Sequence, residues 1–180
     1  MSARLPLNTQ ARVSALEFES VAPRRGGRLL FAPFSASLEP GTFLGIVGPN
    51  GSGKSSLLSV VARTGVRATG AVRYGGSEIA RMRSRERARV MALMTQDSYA
   101  PNELRVLDIV RVGALAGAAE GAVSATDRSL DALAQLGIRD LAARAYSTLS
   151  GGQRQLVQLA RVLAQNSPVM LFDEPTSALD

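Results

Sequence analysis

Eight consecutive residues, Gly48-Pro49-Asn50-Gly51-Ser52-Gly53-Lys54-Ser55, restrict what this chain can fold into more than any other stretch. They fit the phosphate-binding pattern G-x-x-x-x-G-K-[ST] at every position. Glycines let the backbone turn tightly enough to aim successive N–H groups at phosphate oxygens. Lys54 puts a compact charge on the β- and γ-phosphates of a nucleoside triphosphate. Ser55 supplies the hydroxyl that a phosphate-bound Mg²⁺ requires, Ser56 extends the cofactor-binding set, and a helix opening near Gly53 points its positive end at the same anion. Residues 42–47 read as a short buried strand entering the loop, and residues 55–61 as a helix leaving it.

Lys54 is the one lysine among 21 basic residues; the other 20 are arginine. A planar guanidinium fork and a compact ammonium are not equivalent inside a phosphate cradle, so the exception falls where chemistry asks for it.

With 180 residues, 46% of them hydrophobic, the chain can build one domain with a substantial core. Cysteine and histidine are both absent, which removes disulfides and soft or imidazole metal ligands and leaves oxygen donors suited to magnesium. No run is long enough to span a membrane, and residues 1–10 lack the apolar segment of a secretory signal, so a cytoplasmic location is expected.

Along the chain, residues 12–21 alternate apolar and acidic side chains and read as a half-buried strand. Residues 22–27 read as a turn, and 29–38 as a second strand, antiparallel to the first and closed by Glu39-Pro40-Gly41. Residues 69–74 read as an edge strand ending in the Gly75-Gly76 turn. Residues 81–89 hold five arginines in nine positions but no aromatics, the pattern of a solvated helix or turn rather than a nucleic-acid platform. Residues 90–94 form a continuous apolar run, expected of a buried parallel strand. That strand delivers Gln96 to the carboxyl edge of an α/β sheet, where ligands collect. Residues 106–116 and 124–136 read as helices, the second capped at Ser124. Gly113, Gly117 and Gly121 are expected to make the stretch between these helices loose, and the region 97–148 to be a small inserted helical subdomain.

Leu149-Ser150-Gly151-Gly152-Gln153 opens the clearest helix, with Leu156, Leu159, Ala160, Leu163 and Ala164 forming its apolar stripe and Gln155, Gln158, Arg161 and Gln165 elsewhere on its surface. Ser150 can cap it, and Gly151 and Gly152 expose N–H groups at a second anion-binding terminus. Residues 166–168 stop the helix. Residues 169–172 are a further buried strand that runs into Asp173 and Glu174. Two carboxylates there suit a nucleotide hydrolase, Asp173 holding Mg²⁺ and Glu174 polarising the attacking water.

These motifs, with Ser177-Ala178-Leu179-Asp180, occur in the order found in the ATP-binding-cassette ATPases, which the chain therefore resembles; residues 88–89, 150–155 and 162–166 are most similar to the ATPases of iron–siderophore, haem and cobalamin importers. The resemblance implies a P-loop α/β fold with a mainly parallel sheet, an N-terminal antiparallel β-subdomain and the inserted helical subdomain. It implies ATP and Mg²⁺ as cofactors, with Gln96 as the loop glutamine that senses the γ-phosphate and the membrane partner and joins the metal site. Ser150, Gly151, Gly152 and Gln153 would belong to a signature closing on ATP held by a second copy, and Asp180 to a loop crossing that dimer interface. The implied partners are a second ATPase subunit and an integral permease, with the chain peripheral on the cytoplasmic face of the inner membrane. Two departures stand out. The aromatic that stacks on adenine in the family is replaced by the Pro23-Arg24-Arg25 region, where an arginine could stack instead, and the sequence stops at Asp180 without the family's switch histidine, so a C-terminally incomplete domain is expected.

The leading expectation is the engine of a metal-chelate importer. A cassette ATPase acting on nucleic acid or the ribosome is the alternative, although the 95 positions between Lys54 and Leu149 contain no coiled-coil heptads. A nucleotide-binding remnant without turnover is the third.

Overall fold

The computed structural model describes residues 14–95, 101, 103–118 and 123–173. They fall into two compact units, one up to residue 87 and the other from residue 88 onward.

The first unit is built on an antiparallel sheet of β1 (Leu16–Arg25), β2 (Arg28–Leu29), β3 (Phe34–Leu38), β4 (Arg67–Tyr74) and β5 (Ser77–Glu78), in the order β2-β1-β4-β5 with β3 also on β1. Helix α1 (Lys54–Ala62) lies against β1 and β4 and buries Leu57, Val60 and Val61. Along β1, Leu16 and Phe18 point inward, and then the phase slips so that Val21 and Ala22 are buried as well. The slip is a bulge: Ser20 has φ 48°, and the register shifts between Phe18 and Val21 on one side and between Glu19 and Ala22 on the other. Gly70 on β4 faces the bulge, with φ 69°, and a Cβ there would come within 2.0 Å of the Glu19 carbonyl oxygen, so only glycine fits.

Several boundaries differ from the sequence reading. The first strand continues through Pro23, Arg24 and Arg25, leaving only Gly26 and Gly27 as the turn. The second breaks into β2 and β3 around Pro33, which has no N–H for a ladder. β4 is not an edge, because the two-residue β5 pairs with its outer side. Residues 42–47 form no strand, and Phe43 and Val47 are 93% and 94% exposed. The apolar run has the composition of a buried strand, but a strand exists only where a neighbour accepts its hydrogen bonds. The recorded backbone bond in this run is a turn, Thr42 N–H to the Glu39 carbonyl at 3.1 Å.

The Arg-rich segment contains α2 (Ser84–Val90), which buries no residue. Arg83 and Glu86 pair at 2.8 Å and Arg81 and Glu78 at 3.0 Å, so this is a solvated, ion-paired surface.

In the second unit, β6 (Met91–Met94) and β7 (Val169–Phe172) pair in parallel from Met91↔Val169 to Met94↔Phe172. Helices α3 (Val106–Ala116), α4 (Ala125–Gln135) and α5 (Gly151–Gln165) pack on one another around Val106, Val110, Leu133, Val157 and Ala160. Gly113 and Gly117 do not loosen this region. A Cβ at Gly113 would lie 2.0 Å from the Arg161 carbonyl oxygen, and one at Gly117 1.8 Å from that of Gln165, so both are sites where α3 touches the α5 backbone. Gly121 lies outside the described residues.

The α5 stripe is also shifted. Val157, Gln158, Ala160, Val162 and Ala164 are its buried residues, whereas Leu156, Leu159 and Leu163 are half-buried. Gln158, expected on the surface, is 2% exposed and donates through Nε2 to the Tyr146 hydroxyl at 3.1 Å. Gln165 is half-buried and donates to the carbonyls of Ala88 and Met91 at 2.7 and 2.8 Å, fastening the end of α5 to the start of β6. Burial pushes the Arg161 guanidinium below its ordinary value, with Tyr146 opposing. Asn166, in the left-handed region at φ 53°, ends α5.

Candidate functional site

The phosphate loop belongs to the first unit. Gly53 is the N-cap of α1 with φ 100°. A Cβ there would be strained and would press at 3.2–3.3 Å on Phe31 and Leu30, which pack beneath the loop. Gly48 sits close against Ser52, 3.0 Å from where its Cβ would be to the Ser52 hydroxyl, and a turn joins Ser52 N–H to the Pro49 carbonyl at 3.2 Å. The start of α1 has no side-chain cap and no acidic residue in its first turn, so its positive end is not neutralised locally. Lys54 reaches back across the loop, its Nζ donating to the carbonyls of Gly48 and Pro49 at 2.9 and 3.1 Å. The ammonium is thereby held against the backbone at the loop's own start. A positive end, a lysine on the loop axis and an adjacent serine hydroxyl form the donor set that a triphosphate with its magnesium demands, and the residues present fit that group.

The second unit supplies two further groups. Ser150 N-caps α5 in a capping box: its Oγ accepts from Gln153 N–H at 3.3 Å, while Gln153 Oε1 accepts from Ser150 N–H at 3.1 Å. The box occupies the Gln153 N–H, which leaves the exposed Gly151 and the half-buried Gly152 at the start of the helix. Arg154 is drawn aside, donating to the Ser147 carbonyl at 3.0 Å and lying 5.6 Å from the Tyr146 ring centre. At the carboxyl ends of the parallel pair, Asp173 N–H donates to the Met94 carbonyl at 2.9 Å, so the half-buried Asp173 starts directly beside the exit of β6. Gln96, Glu174 and Asp180 lie outside the described residues. Among the described residues no three His, Cys, Asp or Glu side chains gather into a metal-binding group, and no helix is long and apolar enough to cross a membrane.

Sequence reasoning missed the Gln158–Tyr146 bond. The signal was present: counted on α5, Gln158 lies one residue after Val157 and four before Val162, inside the arc that is buried.

The family model described as ABC transporter matches residues 31–177. This chain belongs to the ABC transporter family. It is 40% identical over 174 residues to the hemin import ATP-binding protein HmuV of Gloeobacter violaceus and 38% identical over 177 residues to that of Myxococcus xanthus, covering 92% of this chain in each case. The chain spans 63% and 65% of the length of those two relatives. Among solved structures it superposes on a nucleotide-free ATP-binding cassette from an ABC transporter with a TM-score of 0.76 and 25% identity, over 90% of this chain and 69% of that one. It also superposes on a chain described as a metal-chelate type ABC transporter in an inward-facing conformation, with a TM-score of 0.72 and 31% identity, over 93% of this chain and 62% of that one. The cassette fold read from the motifs, with its P-loop, antiparallel sheet and second, parallel sheet, is thus the fold of the chain.

Proposed function

We propose that the chain is the ATP-binding and ATP-hydrolysing subunit of an importer for haem or a related iron chelate. The observation that carries this reading is the phosphate loop, with Lys54 held over the turned backbone of Gly48 and Pro49 at the uncapped start of α1. The names of the hemin-import relatives support the cargo class.

In this reading Gly48, Asn50, Gly51, Ser52 and Gly53 wrap the phosphates with backbone N–H groups, Pro49 shapes the turn without an N–H of its own, and Lys54 swings from its two carbonyls to the β/γ-phosphates. Ser55, Asp173 and Gln96 would hold magnesium, which when bound neutralises charge that develops on the phosphoryl oxygens. Glu174 orients and deprotonates the attacking water. Ser150, Gly151, Gly152, Gln153 and Asp180 act across a dimer on the nucleotide of a second copy, and the assembly works on a permease at the cytoplasmic face of the membrane. Region 97–148 is the inserted helical part of this single cassette.

The test is calorimetric. Lys54→Ala removes a charge-assisted phosphate contact and should weaken Mg-ATP binding by about 1.5–3 kcal/mol. Unchanged affinity would show that the nucleotide does not sit on this loop.

A further inference from the structure

The chain has four asparagines, and Asn50 is the one that glycine follows. An asparagine amide carbon can close a ring with the backbone nitrogen of the next residue, and a side chain on that residue obstructs the approach; glycine has none. The loop presents the pair openly. Both residues are exposed, Gly51 is in the left-handed region at φ 77°, and a Cβ built on it would meet nothing within 4 Å. The turn that carries them is closed by Ser52 N–H on the Pro49 carbonyl at 3.2 Å, and among the described residues neither the Asn50 amide nor the Gly51 N–H has a hydrogen-bond partner. Asn166 differs, because Ser167 after it is 1% exposed and its hydroxyl donates to the Ala88 carbonyl at 2.9 Å. Positive charge also surrounds the loop pair. Lys54 Nζ lies 3.1 Å from the Pro49 carbonyl oxygen, on the peptide that ends at the Asn50 nitrogen, and the start of α1 has no side-chain cap and no acid in its first turn. Such a field favours the deprotonated form of a nearby N–H and any carboxylate that forms beside it.

We propose that Asn50 with Gly51 is a site of spontaneous deamidation that retires the phosphate loop, and that a bound triphosphate protects it. The Gly51 nitrogen gives its proton to water and bonds to Asn50 Cγ; the Cγ–Nδ2 bond breaks, and Nδ2 leaves as ammonia with a proton taken back from water. Water then opens the cyclic imide. Addition at Cγ leaves an aspartate on an unchanged backbone, whereas addition at the Asn50 carbonyl carbon leaves an isoaspartate whose main chain runs through Cβ and Cγ. No oxidant or reductant takes part. Either product sets a carboxylate where the loop meets phosphate, so it takes up the Lys54 charge and repels the incoming anion. The isoaspartate also displaces the N–H groups of Gly51, Ser52 and Gly53 by one backbone atom. The loss of binding rests on the reading of residues 48–55 as the triphosphate site. In that reading a bound triphosphate accepts from the Gly51 N–H and holds the nitrogen away from Cγ. An idle cassette ages, and a loaded one does not.

The chain is kept at physiological temperature and neutral pH alone, with inorganic tripolyphosphate, and with Mg²⁺ and the β,γ-imido analogue of ATP, and samples are digested with trypsin. Cleavage after Arg28 and Lys54 releases residues 29–54, in which Asn50 is the sole side-chain amide, so the mass gain of this peptide and its labelling by isoaspartyl methyltransferase report this site alone. Asn50 is expected to convert while Asn166 stays intact, and both ligands are expected to suppress the conversion. The converted chain, separated by ion exchange, should bind Mg-ATP at least about tenfold more weakly in calorimetry than unconverted chain of the same age, the loss expected when one charge-assisted contact is gone. Circular dichroism of the two fractions checks that the fold is kept. Provided that Lys54→Ala weakens tripolyphosphate binding, three results each overturn the proposal alone: Asn50 converting no faster than Asn166, converted chain binding Mg-ATP as tightly as unconverted chain, or conversion unslowed by saturating ligand. Tripolyphosphate binding indifferent to Lys54→Ala refutes the phosphate-loop reading itself, and the proposal falls with it.

Discussion

Replacing Gly113 by alanine tests the packing of α3 on α5 most severely. The added Cβ would lie 2.0 Å from the Arg161 carbonyl oxygen and 2.9 Å from its carbonyl carbon. That is about 1.4 Å short of the 3.4 Å at which ordinary contact begins. The obstacle is backbone inside a regular helix and cannot rotate away, so the helices must part, and the seam that buries Val110, Ala114, Val157 and Ala160 opens with them. Overpacking costs about 1–3 kcal/mol, and an immovable neighbour places this case at the upper end. Alanine recovers about 1 kcal/mol of helix propensity over glycine. The net expectation is a loss of about 2 kcal/mol, roughly a thirtyfold shift toward the unfolded state. Urea titration followed by the far-UV helical signal, dominated by α3, α4 and α5, reads it directly. Gly151→Ala is the control, because a Cβ there meets nothing within 4 Å, and its effect should stay within about 0.5 kcal/mol. A Gly113→Ala protein as stable as the parent would refute the close-approach argument.

Tyr146→Phe should destabilise by about 1–3 kcal/mol, because it strands the buried Gln158 amide, whereas adding Gln158→Met should restore most of the loss; a thermal-melt double-mutant cycle showing simple additivity would contradict the pairing. Ser150→Ala removes half of the capping box and should cost about 0.5–2 kcal/mol in urea titration, and an unchanged midpoint would mean that the cap does not hold α5. Glu174→Gln, made in a chain extended to the length of the relatives, should keep ATP bound and accumulate a dimer by light scattering; a monomer with ATP demonstrably bound would count against the cross-dimer role of Ser150.

The local geometry of the loop and of the α5 start was legible where a residue type had no substitute. The loop glycines, Lys54 and Ser55 follow from what a phosphate requires, and Ser150 with Gln153 follows from what a helix start requires, so local rules were enough. Legibility failed where a side chain's meaning depends on a distant partner. Gly113 and Gly117 look like helix breakers until the α5 carbonyls are beside them. Gln158 looks like surface until Tyr146 comes within 3.1 Å. The β1 bulge was invisible because a phase slip at Ser20 is compensated by Gly70, fifty residues away.

Gly113 of α3 and Gly117 at its C-cap stand four residues apart, and so do the two carbonyls of α5 that they meet. Contact therefore recurs one turn on, like teeth in a rack. Advancing α3 along α5 by a single residue, a screw of about 1.5 Å and 100°, would bring a side chain to a point with no room for one. The register of the pair is consequently fixed by backbone rather than by side chains. The exposed flank of α3, at Val112 and Leu115, is thereby geared to a rod about 22 Å long that Ser150 caps at its far end.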